Sequence, residues 1–184
     1  LFASITGCQK EPVGKENENT NSYVSFTINF NSDVTKADYG DAGTSDPTDD
    51  EHDVKTAYLY FFKDTKYVST ITIPADDITS STLVSGTPVK KTTVPTLLDA
   101  ATYNVYATLN YEVTGLTNTT TETEFQNKSC DFLPTSFDVA TSGVPMSSRS
   151  SDGVMCANVT LTSANTKDNP LEFSLDMERM IAKI

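Results

Sequence analysis

Residues 22–30 read Ser-Tyr-Val-Ser-Phe-Thr-Ile-Asn-Phe, and the large apolar residues recur at every second position. Val24, Phe26, Ile28 and Phe30 fall on one face, and Ser25, Thr27 and Asn29 on the other. A period of two matches the pleat of a β-strand with one buried and one wet face, and a helix cannot present it. The folded part of the chain therefore opens on a strand that needs the rest of a sheet to cover its apolar row.

More strands follow the same logic. Val54 to Phe62 carries large side chains on both faces, with Ala57, Leu59 and Phe61 opposite Tyr58, Tyr60 and Phe62, so it belongs at the centre of a sheet. Tyr67 to Ile73 returns after the short turn Lys63-Asp64-Thr65-Lys66 and completes a hairpin. Val89 to Val94 is a weaker strand, and Thr102 to Asn110 a strong one. Met155 to Leu161 and Leu171 to Ile184 close the series. Residues 31–53 and 112–128 are polar and read as loops, the first too long for a hairpin turn. Cys130 to Val139 reads equally as strand, short helix or irregular segment. About seven strands with turn-rich connections predict an all-β, Greek-key (transthyretin-like) β-sandwich.

The first eight residues, Leu-Phe-Ala-Ser-Ile-Thr-Gly-Cys, look like the end of a secretory signal followed by a lipobox. On this reading residues 1–7 are removed and Cys8 is acylated, so that lipid holds the protein to a membrane. Residues 9–21 hold almost nothing apolar and make a tether. Without the signal and tether residues 22–184 remain, 163 in all, enough for one domain with its own core. Alternation in the last strand is clean to Met177, whereas Met180, Ile181, Ala182 and Ile184 put apolar groups on both faces. That ending predicts a further domain to cover it.

The formal net charge is −12 and the pI near 4.3, which excludes a nucleic-acid partner that would need a basic patch. With Cys8 lipidated, Cys130 and Cys156 form an even pair, either one disulfide or two idle thiols. They do not read as a metal site, because the single histidine, His52, lies in an acidic loop and there is no CxxC. The run Asp46 to Asp53 lacks calcium-loop spacing. No catalytic constellation, phosphate-binding loop or dinucleotide motif is present, so neither an enzyme nor a cofactor is expected.

Several of these pieces together resemble one family. The lipobox, tether and first strand precede Ala57-Tyr58-Leu59-Tyr60-Phe61-Phe62 and the Tyr103-to-Leu109 strand. Val144-Pro145-Met146-Ser147-Ser148 and Glu178-Arg179-Met180-Ile181-Ala182-Lys183-Ile184 are the more specific marks. The chain is similar to the N-terminal domain of a Bacteroidales-type fimbrillin, a subunit of type V pili. The resemblance implies residues 1–7 as signal remnant, 8–36 as lipidated tether plus first strand (a propeptide), 37–184 as the N-terminal β-sandwich domain, and a missing C-terminal domain. It further implies export as an outer-membrane lipoprotein through Cys8 and cleavage at Lys36-Ala37 by a trypsin-like protease. The best-known members present Arg at that bond and this chain has Lys. Removal of the first strand would empty the pockets of Val24, Phe26, Ile28 and Phe30, and another fimbrial subunit would refill them by donor-strand exchange. The implied product is a cell-surface fimbrium that supports adhesion, with a host or bacterial receptor. The alternatives are a monomeric lipid-anchored β-sandwich that binds a glycan or host protein, and an accessory domain of a secreted enzyme. The absence of Trp and of catalytic residues weighs against both.

Overall fold

The computed structural model describes residues 22–30, 54–80, 89–96, 98–128, 142–149 and 156–179. Among them the chain forms nine strands: β1 (Ser22–Phe30), β2 (Thr56–Lys63), β3 (Lys66–Pro74), β4 (Thr79–Ser80), β5 (Val89–Thr96), β6 (Thr102–Leu109), β7 (Met146–Arg149), β8 (Ala157–Thr160) and β9 (Leu171–Arg179). The helix α1 (Glu122–Lys128) lies between β6 and β7. Hydrogen bonding runs in the order β3-β2-β6-β7-β9-β1-β5-β4, with β8 also on β6. The fold is an all-β sandwich, as the alternating segments predict.

One apolar core gathers side chains from both ends of this order. Val24, Phe26 and Ile28 of β1 join Leu59 and Phe61 of β2, Val105 and Leu109 of β6, and Leu175 and Met177 of β9. The opposite face of β2 is also buried, as its two apolar faces require. Tyr60 and Phe62 pack with Tyr106, Val113 and Phe125 in a second, aromatic cluster. The β2–β3 turn is a two-residue hairpin with Asp64 and Thr65 both at positive φ (50° and 65°), the conformation that suits strand twist.

The structure differs from the sequence expectation in several places. Residues 112–128, expected as loop, contain α1. Its start is a capping box: Thr121 Oγ1 accepts from the Glu124 N–H at 3.2 Å, and Glu124 Oε2 accepts from the Thr121 N–H at 2.7 Å. The Thr121 N–H, and the Thr121 hydroxyl that donates to the same Oε2 at 3.0 Å, hold the Glu124 carboxyl below its usual range. Phe125 then plugs the helix into the aromatic cluster. β5 continues through Pro95, where the apolar pattern predicted an end. Proline is tolerated there because, among the described residues, β4 pairs β5 only at Lys90 and Lys91, leaving Pro95 without a strand partner on that side. β4 and β7 are too short to register as alternation.

Two residues set the approach to β7. Asn110 sits at φ 59°, and its side chain accepts from the Lys55 N–H at 2.8 Å and donates to the Val144 oxygen at 3.0 Å. Gly143 has φ 76°, and a Cβ there would lie 2.3 Å from Asn110 Nδ2. The chain before Val144-Pro145-Met146 therefore requires glycine on both conformational and steric grounds.

Candidate functional site

The first strand occupies a groove walled by two strands far from it in sequence. On one side β1 runs antiparallel to β5, with Ser22 opposite Thr96, Val24 opposite Val94 and Phe26 opposite Thr92. On the other it runs parallel to β9, with Phe26 opposite Phe173, Ile28 opposite Leu175 and Phe30 opposite Met177. A parallel pair cannot be closed by a tight turn. β1 is thus tied to neither wall by a hairpin, and leads through residues 31–55 to β2, in the other half of the sheet.

The apolar row lies where its alternation predicts. Val24, Phe26 and Ile28 are 0% exposed and Phe30 is 2% exposed. Burial of such side chains contributes roughly 1.5–3 kcal/mol each. Phe26 also stacks on Phe173, with ring centroids 5.3 Å apart. On the opposite face the Asn29 Nδ2 donates to Asp176 Oδ1 at 3.0 Å, and the Thr93 hydroxyl donates to Ser25 Oγ at 3.3 Å; Ser25 is 0% exposed, so this face is not wet along its whole length as the alternation predicts. Near the start of the strand, the Tyr23 N–H donates to the Asn165 oxygen at 2.8 Å.

The β5 wall is less complete. Thr92 and Thr96 are buried, and among the described residues neither hydroxyl has a hydrogen-bond partner. Sequence reasoning found β1 but missed Thr92, Thr96, Phe173 and Asp176. The alternation of β1 says that a groove exists, yet nothing within one strand says which distant strands form its walls.

Cys8, Lys36, Ala37, His52 and Cys130 lie outside the described residues. Cys156 is a half-buried free thiol beside the aromatic cluster, and burial pushes it up from its ordinary range. Nearby, Glu122 accepts from the Tyr106 hydroxyl at 2.9 Å and from Asn104 at 3.0 Å. Among the described residues no three His, Cys, Asp or Glu side chains are grouped to hold a metal ion, and no helix is long and apolar enough to cross a membrane.

The described residues thus form an all-β sandwich with its first strand seated between β5 and β9. The family described as "Major fimbrial subunit protein (FimA)" matches residues 22–176, and the chain belongs to that family. This bears out the fimbrillin resemblance, and the family is one of structural subunits, not enzymes. Similar solved structures include a fimbrial assembly protein from Parabacteroides distasonis, at 10% identity and TM-score 0.51, covering 87% of this chain and 53% of that one. Another is the tip fimbrial protein Mfa3 from Porphyromonas gingivalis, at 16% identity and TM-score 0.45, covering 86% of this chain and 48% of that one. The chain thus spans about half the length of these structures. No curated protein matches it.

Proposed function

We propose that this chain is the N-terminal part of a fimbrial subunit that polymerises by donor-strand exchange and supports adhesion at the cell surface. It reaches the outer membrane as a lipoprotein through Cys8. A trypsin-like protease cuts Lys36-Ala37, β1 leaves, and an extended segment of a neighbouring subunit takes its place between β5 and β9. A receptor engages the assembled fimbrium.

The observation that carries this reading is the seat of β1. Four apolar side chains, at most 2% exposed, lie on a strand that no hairpin joins to either wall. A cut within residues 31–53 would sever the link from β1 to β2 without breaking a turn between β1 and either wall. Loss of the strand would uncover a long apolar groove, and refilling that groove would drive assembly.

The test is N-terminal and intact-mass analysis of the protein recovered from the cell surface. A chain beginning at Ala37, found in SDS-resistant polymers, is the expected result. A monomer beginning at lipidated Cys8 would overturn the exchange reading in favour of a monomeric surface-binding lipoprotein.

A further inference from the structure

We propose that β1 is an imperfect occupant of its own groove, and that the groove better fits an extended segment of another subunit carrying an amide side chain opposite Thr96. This rests on the strand-exchange reading above and specifies the incoming strand.

The argument starts from the two orphaned hydroxyls on β5. Thr92 is 3% exposed and Thr96 is 1% exposed, and among the described residues neither Oγ1 has a partner. A buried hydroxyl that has given up water without gaining a protein partner weakens the state that buries it. Both face β1: Phe26 stands opposite Thr92, and Ser22 opposite Thr96. Phe26 offers Thr92 only a ring. Ser22 carries a hydroxyl of its own, but donates it to the Thr162 oxygen at 3.3 Å.

The two positions differ in what a replacement strand can change. A polar group in place of Phe26 would forfeit a fully buried ring and its stacking on Phe173. Ser22 is itself buried, at 4% exposed, but has no ring or stacking partner to forfeit. Directly opposed side chains in an antiparallel pair have Cβ atoms about 5 Å apart. Asparagine there has two N–H donors and a carbonyl acceptor on a longer arm. One group keeps the Thr162 contact while another reaches Thr96. The four apolar residues and the Asn29–Asp176 bond stay as they are. A donor strand of this kind gains a hydrogen bond that β1 lacks, which biases exchange toward the incoming subunit.

The test uses the full chain with a specific protease site introduced between Gly40 and Asp53, then cleaved so that β1 is held without a covalent link. Labelled peptides spanning residues 20–32, with the native sequence or with Ser22→Asn, compete for the groove. The native peptide is expected to exchange in. The Ser22→Asn peptide is expected to bind about fivefold tighter or more, as one added hydrogen bond implies. On a Thr96→Val chain that advantage is expected to vanish. A Ser22→Asn peptide that binds no tighter, or whose advantage survives Thr96→Val, overturns the proposal while leaving strand exchange intact. Failure of the native peptide itself to exchange overturns the strand-exchange reading and this proposal with it. Denaturation of the uncleaved chain supplies a separate readout. Ser22→Asn is expected to raise its midpoint, and to lose that effect in the Thr96→Val background. A midpoint that does not rise counts against the proposal whatever the peptides do.

Discussion

Asn29 of the first strand donates its side-chain N–H to Asp176 of the last strand at 3.0 Å, across 147 residues of sequence. The two stand directly opposite each other in the parallel register, on the outward face. A hydrogen bond to a charged acceptor contributes about 1.5–3 kcal/mol when well shielded, and less where water competes. Asn29→Ala is therefore expected to cost about 1 kcal/mol in urea denaturation. In a double-mutant cycle with Asp176→Ala the two changes should be clearly less than additive. Full additivity would show that the pair does not couple the strands.

The apolar face holds β1 more strongly. Phe26 is 0% exposed and stacks on Phe173. Phe26→Ala should lower stability by about 3–5 kcal/mol, because a cavity opens where neither wall can close in. Val68 supplies the contrast. At 43% exposed on β3, Val68→Ala should fall within about 0.5 kcal/mol of wild type. Comparable losses at both sites would mean that the β1 row is not the anchor of this half of the sandwich.

The strands most legible in the sequence were those whose alternation runs for a full face, namely β1, β2 and β6. Val24 to Phe30 identified both the element and its buried side without any knowledge of its partners. Pairing was not legible, since the walls of the groove come from residues 89–96 and 171–179, and alternation carries no address. The helix was missed because threonine and asparagine dominate residues 112–128, although Thr121-Glu122-Thr123-Glu124 spells the capping box that starts it. The Val144-Pro145-Met146 mark acquires a physical meaning only in three dimensions. It follows Gly143, the residue that must fit against Asn110.

That fit makes Gly143→Ala a severe change for a single methyl group. The left-handed backbone at φ 76° costs an L-residue about 1–2 kcal/mol, and the added Cβ would meet Asn110 Nδ2 at 2.3 Å. The expected loss is about 2 kcal/mol or more in thermal or urea unfolding. Amide exchange should quicken around Asn110 and Val144, whose hydrogen bond is displaced. A variant as stable as wild type would show that the backbone relieves the contact.

The hairpin turn offers a change in the opposite direction. Thr65 holds φ 65° although it is β-branched, a conformation that glycine adopts without steric cost. Its backbone oxygen still accepts from the Glu122 N–H at 3.1 Å after substitution, so the link to α1 survives. Thr65→Gly is expected to stabilise the chain by about 1 kcal/mol, the relief of strain exceeding the added freedom of the unfolded state. A lower unfolding midpoint would assign the turn's stability to the threonine side chain instead.

Tyr60 gives the second cluster a pH signature. It is fully buried, its hydroxyl accepts from the Val113 N–H at 2.8 Å, and it lies 3.1 Å from the Thr108 hydroxyl. Burial pushes its pKa up to about 12, against the opposing pull of those hydrogen bonds. The unfolded chain releases this proton near pH 10 and the folded chain only near pH 12. Between those values the folded state binds more protons, so stability falls as pH rises through the window and is fully present below it. The loss attributable to this group is about 2–3 kcal/mol. In Tyr60→Phe that portion of the alkaline decline should disappear. Stability at neutral pH should drop by about 1–2 kcal/mol, because the buried Val113 N–H loses its acceptor. Equal slopes for the two proteins between pH 10 and 12 would show that Tyr60 is not the group linked to alkaline unfolding.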